Sequence, residues 1–326
     1  ETTMKNVILP DSSPHRLPFY LTMEEWIARR LPAGDYFFTW QVDPTVIFGR
    51  NQDIDKEVDL DYCRRHGIAF YRRHSGGGCV FADRSNIMFS FITPSEQVVT
   101  TFSRYTSLVA RMLQSLGLDA EAGGRNDITV GGRKVSGNAF YHLPGRSIVH
   151  GTMLYDTDLA HMAGAITPSR SKLESKKVAS VESHITTLCR HLDIDINEFI
   201  DYATRYLADS TLQLSASQVE EIEEMSQPYY TREWIYGRRN ARSISKDRRI
   251  EGVGEFNIDI ERDGDRIRDI EMHGDFFITG DLDSLLDKIK GAEATPAALA
   301  DAIAETDCGS VIAGLKADDL IRIILD

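Results

Sequence analysis

One stretch constrains this chain more than any other: Arg72-Arg73-His74-Ser75-Gly76-Gly77-Gly78-Cys79-Val80-Phe81. Three consecutive glycines suit neither a helix nor a strand, because each loses much conformational freedom when ordered. The stretch therefore predicts a turn between two apolar strands, Ile68–Arg72 and one starting at Cys79–Phe81. Without Cβ atoms, the turn can bend tightly and approach a ligand closely. Its N–H groups can line a concave anion site. The adjoining arginines offer planar, permanently charged forks for phosphate or carboxylate. No Gly-Lys-Ser/Thr follows, so the turn is not a Walker A loop, and the spacing fails the dinucleotide fingerprint.

A second constellation is Gly124-Arg125-Asn126-Asp127, followed by Gly132-Arg133-Lys134-Val135-Ser136-Gly137-Asn138. Gly131-Gly132 between Asp127–Val130 and Lys134–Tyr141 signals a hairpin. A lysine just past such a turn can reach back over the neighbouring strand, or it can be an ordinary exposed turn lysine. A third is His150-Gly151-Thr152 within an apolar strand at Ser147–Tyr155.

Charge is unevenly placed. The chain of 326 residues has a formal charge of −13. Residues 246–326 carry 10 basic and 20 acidic residues, whereas 60–150 carry 11 and 6. The last quarter supplies most of the acidity, and the segment with the glycine turn is net positive. The overall charge excludes a general nucleic-acid binder. No apolar run reaches the ~20 residues of a membrane span, and the start, ETTMKNVILP, has no secretory h-region. The four scattered cysteines have no metal-ligand spacing and fit a reducing compartment, so a cytoplasmic location is expected.

The remaining pattern predicts an α+β chain: a mixed, largely antiparallel sheet flanked by helices, then a small α/β C-terminal module. Thr22 is expected to cap a helix over 22–31, with Glu25 completing a capping box. A helix over Val58–His66 stops at Gly67, and others are expected at 101–116, 196–207 and 217–225. The basic, polar segment 236–250 reads as a linker. Two alternating strands, 254–260 and 266–272, and helices at 282–290, 297–304 and 318–324 make the tail. The expected domains are 1–245 and 246–326.

Taken together and in order, these segments resemble the lipoate-protein ligase family. The carriers are RRHSGGGCVFAD (72–83), GRNDITV (124–130), GGRKVSGNAF (131–140) and HGTMLYDTDL (150–159). KKVASVESHITTL (176–188) and REWIYG (232–237) match less closely. The resemblance implies a fold similar to the biotin-protein-ligase catalytic domain. It implies that lipoate or octanoate is activated with Mg·ATP as an acyl-adenylate. The acyl group then passes to a lysine of an apo lipoyl domain, on a 2-oxoacid dehydrogenase E2 subunit or the glycine-cleavage H protein.

By the same resemblance, Arg73 contacts phosphate. Ser75, Gly76, Gly77 and Gly78 wrap the adenylate and acyl chain. Cys79, Val80 and Phe81 line the adenine pocket. Asn126 and Asp127 hold the phosphate region, with Asp127 a candidate Mg²⁺ ligand. Lys134 bridges the carboxyl oxygen and the α-phosphate as a cation, and His150 lies near the acyl pocket. Trp40, Phe48 and Phe81 are candidates for an apolar tunnel. The chain departs from the family's His-Asp-x-Gly-Asn, reading Ala82-Asp83-Arg84-Ser85-Asn86, and carries Tyr141 where some members have arginine. The alternative is an octanoyl/lipoyl acyltransferase of the same fold that works through a cysteine thioester.

Overall fold

The computed structural model describes residues 3–95, 97–123, 126–166, 184–237 and 244–325. By internal packing the chain divides into two units. One comprises Glu1–Phe48, Ile54–Arg73 and Cys79–Ile235, and the other Gly49–Asp53, His74–Gly78 and Tyr236–Asp326.

The elements of the first unit are β1 (Met4–Ile8), α1 (Leu17–Arg30), β2 (Asp35–Trp40), β3 (Thr45–Phe48), α2 (Ile54–Glu57), α3 (Leu60–His66), β4 (Ala69–Arg72), β5 (Val80–Ala82), β6 (Asn86–Thr93), α4 (Val98–Ser115), β7 (Ala120–Gly123), β8 (Asp127–Val130), β9 (Arg133–Leu143), β10 (Arg146–Leu154), α5 (Leu159–Ala165), α6 (Ile196–Leu207), β11 (Ser210–Gln213), α7 (Ala216–Met225) and α8 (Arg232–Tyr236). Eight strands form one sheet in the order β11-β1-β2-β6-β10-β9-β8-β7. Only the β11–β1 and β1–β2 pairs are parallel. The expected mixed, largely antiparallel sheet is thus present. A second sheet, β4-β3-β5, carries the residues on either side of the glycine turn.

Burial explains the strand pattern. All eight residues of β6 are buried, as befits a central strand covered on both faces. Helix α1 packs Trp26, Ile27 and Met23 into the core with Tyr36, Phe38 and Trp40 of β2. Each such side chain contributes roughly 1.5–3 kcal/mol when fully buried.

Helix α1 corrects the expected start at Thr22. It begins at Leu17, with Pro18 in its first turn, where a missing N–H costs nothing. Thr22 is a buried mid-helix residue, and Glu25 accepts from the Tyr229 hydroxyl at 3.1 Å instead of closing a cap. Capping boxes occur elsewhere, at Asp195–Glu198 and Ser215–Gln218. The expected helix over 58–66 starts at Leu60, as α3, and a separate short helix, α2, precedes it. Asp59 caps α3 by accepting from Tyr62 N–H, and Gly67 ends it in the left-handed conformation.

Burial raises the Glu25 carboxyl above the ordinary range, against the smaller opposing effect of the Tyr229 hydrogen bond. Its proton is therefore held more tightly in the folded chain than in the unfolded one. That stabilisation is present below the unfolded carboxylate pKa and is lost as pH rises through the folded value. Glu25→Gln is expected to raise Tm at pH 7, with the gain over wild type shrinking towards pH 4, by thermal scans at both pH values.

The second unit contains β12 (Ile244–Ile250), β13 (Gly254–Asp263) and β14 (Arg266–Asp275), an antiparallel sheet in that order. It also contains α9 (Leu282–Ile289), α10 (Pro296–Ile303), α11 (Cys308–Val311) and α12 (Ala317–Leu325). The linker expectation for 236–250 is corrected at 244–250, which pairs with β13 from Ile244↔Ile260 to Ile250↔Gly254. Basic residues hid this strand from the sequence reading. Lys246 reaches the carbonyl of Ile324 at 2.8 Å, so its charge satisfies a helix end. Phe256, Ile258, Ile270 and Phe276 fill this unit's core against the apolar faces of its helices.

Candidate active site

The lysine hairpin is built by β8 and β9. Gly131 and Gly132 both have positive φ (54° and 73°), as a two-residue turn with matching twist requires. The pairing register shifts between Ile128 and Thr129, a bulge-type irregularity that re-aims side chains. Lys134 lies back over Gly137: a Cβ there would sit 3.0 Å from both Lys134 Cε and Nζ. Asp127 is Gly137's strand partner, and its carboxylate meets Lys134 Nζ at 2.7 Å. Both side chains remain about one-third exposed (35% and 36%). A cation and a carboxylate are thus held together within reach of solvent. The Lys134 carbonyl accepts from Thr186 N–H at 2.9 Å, so its backbone is braced by a segment 52 residues downstream.

Asn126 is held by Asn138. Its side-chain amide donates to the Asn138 carbonyl at 2.9 Å, and its carbonyl accepts from Asn138 N–H at 2.9 Å. Asn138 in turn demands glycine at 151, where a Cβ would lie 2.0 Å from the Asn138 Oδ1 atom. Gly124 and Arg125 of this motif, and 176–183 of the later one, lie outside the described residues.

His150, on β10, is buried (5% exposed) and faces a wholly buried carboxylate. Its Nδ1 lies 3.0 and 2.9 Å from the two Glu24 oxygens. Ser90 Oγ donates to Glu24 Oε1 at 2.5 Å and accepts from Trp40 Nε1 at 2.8 Å. Trp40 stacks on Tyr20 at 5.0 Å between centroids. The chain Trp40–Ser90–Glu24–His150 satisfies groups that would otherwise be costly to bury. Sequence reading missed Glu24. Its only signal was a pair of acids, Glu24-Glu25, in an apolar helix, and the pattern was spent on a cap. The network also restrains Trp40 as a free wall: its polar edge is committed, while Phe48 and Phe81 are buried without one.

The arginines of the glycine motif separate in role. Arg72 donates to the Trp234 and Ile235 carbonyls, each at 2.9 Å, and lies over the Phe48 ring at 4.7 Å. Trp234 Nε1 returns a bond to the Arg72 carbonyl at 2.9 Å. Arg72 therefore ties α8 to β4, which gives REWIYG a structural purpose. Arg73 is buried, with Nη1 on the Ile47 carbonyl at 3.0 Å and its own N–H on the Phe48 carbonyl. Val80 and Phe81 lie in β5, which pairs with β3, and Cys79 just precedes it. At the departure from the family pattern, Asp83 Oδ1 accepts from Ser85 N–H (2.9 Å) and Oγ (2.6 Å). A serine-closed turn occupies the stretch where the family usually has His-Asp-x-Gly-Asn. Tyr141 sits 6.0 Å from the His150 ring, centroid to centroid.

In the second unit, Ser75, Gly76 and Gly77 are buried. Gly77 has φ of 87°, and its N–H donates to the Phe276 carbonyl at 3.0 Å. A Cβ on Gly76 would come within 2.3 Å of the same oxygen. One on Gly78 would lie 3.0 Å from the Asp275 carboxylate. The glycines are thus required by close packing as well as by conformation.

Cys63, Cys189 and Cys308 are not activated. Burial pushes Cys63 up to about 11 and raises Cys308. Partial burial and the adjacent Asp156 raise Cys189, whose Sγ donates to Asp156 Oδ1 at 3.2 Å. A thioester mechanism needs the opposite, a depressed thiol.

A lysine and a carboxylate held together on a partly exposed hairpin suit chemistry on an anionic group. Comparison with known proteins gives the family. Residues 17–208 match the lipoyl protein ligase A/B catalytic domain, and residues 241–324 the bacterial lipoate protein ligase C-terminus. Lipoate–protein ligase 1 of Staphylococcus aureus is 32% identical over 314 residues, covering 93% of this chain and 95% of that protein. A crystal structure of lipoate-protein ligase A bound with ATP has TM-score 0.62 and 25% identity, covering 73% of this chain and 99% of that one. The ligase of an archaeal lipoylation system from Thermoplasma acidophilum, described as bi-partite and studied with its E2 lipoyl domain, has TM-score 0.64 and 25% identity over 74% and 100%. The chain belongs to the lipoyl protein ligase A/B catalytic-domain family.

Proposed function

We infer that this enzyme is an ATP-dependent lipoate-protein ligase, and the observation that carries the reading is the Lys134–Asp127 pair at 2.7 Å over Gly137. Joining a carboxylate to ATP brings two anions together, so fixed positive charge and exact placement supply most of the catalysis. A lipoate carboxylate oxygen attacks the α-phosphorus, and the bond to the bridging oxygen breaks, releasing pyrophosphate. Lys134 Nζ donates to the carboxyl oxygen and the α-phosphate, stabilising charge as it develops. Asp127 holds the ammonium in place until those anions arrive. A lysine amine of the acceptor then attacks the mixed-anhydride carbonyl. The carbon–oxygen bond to AMP breaks, and the amine gives up a proton.

In this reading Arg73, Gly78, Cys79, Val80, Phe81 and Asn126 contact ATP, and Ser75, Gly76, Gly77 and His150 contact the acyl group. Mg²⁺ binds through one or two carboxylates plus substrate phosphates and keeps its waters. Asp127 is the carboxylate that would hold it, and the ion would neutralise phosphate charge. The family matches support residues 1–245 as the catalytic domain and 246–326 as accessory. The acceptor class is an apo lipoyl domain, supported by the archaeal relative's E2 lipoyl domain. No helix among the described residues is long and apolar enough to cross a membrane.

The test is incubation with ATP, Mg²⁺, lipoate or octanoate, and an apo lipoyl domain, followed by intact mass of the acceptor. A gain matching lipoyl or octanoyl, dependent on ATP, is expected. Transfer from an acyl-carrier protein without ATP, abolished by a Cys→Ala change, would establish the thioester alternative instead.

A further inference from the structure

The glycine turn is gripped from a second side, by the loop Gly49–Asp53 in the same unit. Arg50 N–H donates to the Ser75 carbonyl at 3.0 Å, at the turn's first buried peptide. This loop is closed on itself. Gln52 Oε1 accepts from Gly49 N–H at 2.7 Å, and Gln52 N–H donates to the Gly49 carbonyl at 3.1 Å. Gln52 is 0% exposed. The next contact outward is Gly274 N–H on the Asn51 carbonyl at 2.5 Å. One buried side-chain oxygen therefore sets the direction of the Arg50 N–H that holds Ser75.

We propose that Gln52 is a positioning residue for adenylation, acting through the Gly49–Arg50 peptide on Ser75 and the glycine turn. The proposal rests on the reading that this turn wraps the adenylate. Consecutive glycines hold no geometry of their own, since ordering them costs backbone entropy with no side chain to lock. A turn whose backbone must hold a fixed course against a substrate needs a brace from elsewhere. Gln52 supplies it with a neutral acceptor. A neutral group satisfies the Gly49 N–H without adding a buried negative charge beside a site for anions.

Gln52→Met keeps length and bulk and removes the acceptor. Gln52→Glu keeps the acceptor oxygen. Gln52→Met is expected to lower kcat for lipoate-dependent ATP–pyrophosphate exchange by about 10- to 100-fold, the scale of a small misplacement, with little change in the KM for ATP. Gln52→Glu restores the acceptor but buries a charge beside the anion site, so it is expected to recover only part of that loss. Equal activity of the Met variant and wild type overturns the proposal. Hydrogen exchange gives a readout that needs no activity. In the ligand-free Met variant, amides 75–78 are expected to exchange faster, while β12–β14 exchange as in wild type. Unchanged exchange at 75–78, or acceleration throughout the unit, overturns it as well. A wild-type enzyme without lipoate-dependent exchange would instead sink the functional reading and leave the exchange experiment to judge Gln52.

Discussion

Lys134→Ala is expected to reduce lipoate-driven ATP–pyrophosphate exchange by about 10³-fold or more, the scale set by removing one preorganised charge from a developing anion. The fold should survive. Lys134 is about one-third exposed (35%), and its pair with Asp127 is a surface-type salt bridge, worth roughly 0–1 kcal/mol. Tm should therefore move little while kcat collapses. The alternative role, a solvated turn lysine, predicts the reverse: no loss of exchange. Lys134→Arg discriminates further. It keeps the charge but replaces a compact ammonium with a planar fork, and the space above Gly137 already places Nζ 3.0 Å from a would-be Cβ. Only partial activity is expected. Asp127→Asn frees the ammonium and also removes the carboxylate assigned to Mg²⁺, so exchange should fall and require a higher Mg²⁺ concentration. If exchange persists undiminished in Lys134→Ala, the central assignment fails.

The hairpin was legible in the sequence because its determinants are local. Gly131-Gly132 fixes the turn, and β8 and β9 follow from alternation on either side. The glycine turn was legible for the same reason. What escaped was long-range. Glu24 and His150 are 126 residues apart, and nothing in the acid pair Glu24-Glu25 says which carboxylate is buried. The Gly49–Asp53 loop carries no periodicity, and its value comes from Ser75 and Gly274, which only the fold brings to it. Strand β12 failed for a different reason. Its alternation places Lys246 and Arg248 on the face that β13 fills with Ile258 and Phe256, so a core-facing row looked like a polar linker. Long basic side chains can cover apolar surface while their heads reach a polar partner, as Lys246 does.

Gly76→Ala is the second large expectation. The φ of Gly76 is not in the left-handed region, so alanine's own backbone preferences carry no penalty. The obstacle is contact. The new Cβ would stand 2.3 Å from the Phe276 carbonyl oxygen and 3.4 Å from Phe277 Cα. Both are backbone atoms, which cannot swing aside as the tip of a side chain could. Either the turn shifts or the end of β14 withdraws, and either movement breaks the 3.0 Å bond from Gly77 N–H to Phe276. A displacement on the order of 1 Å at a positioning element costs about 10²-fold in rate, so exchange is expected to fall by about that factor, with a lowered Tm. Gly67→Ala is the control. Its φ is +66°, but nothing lies within 4 Å of its Cβ. It should lose some stability through the strained cap and leave adenylation unchanged. Activity lost equally in both variants would mean that destabilisation alone explains the effect. Loss confined to Gly76→Ala would tie adenylation to the close packing of the glycine turn.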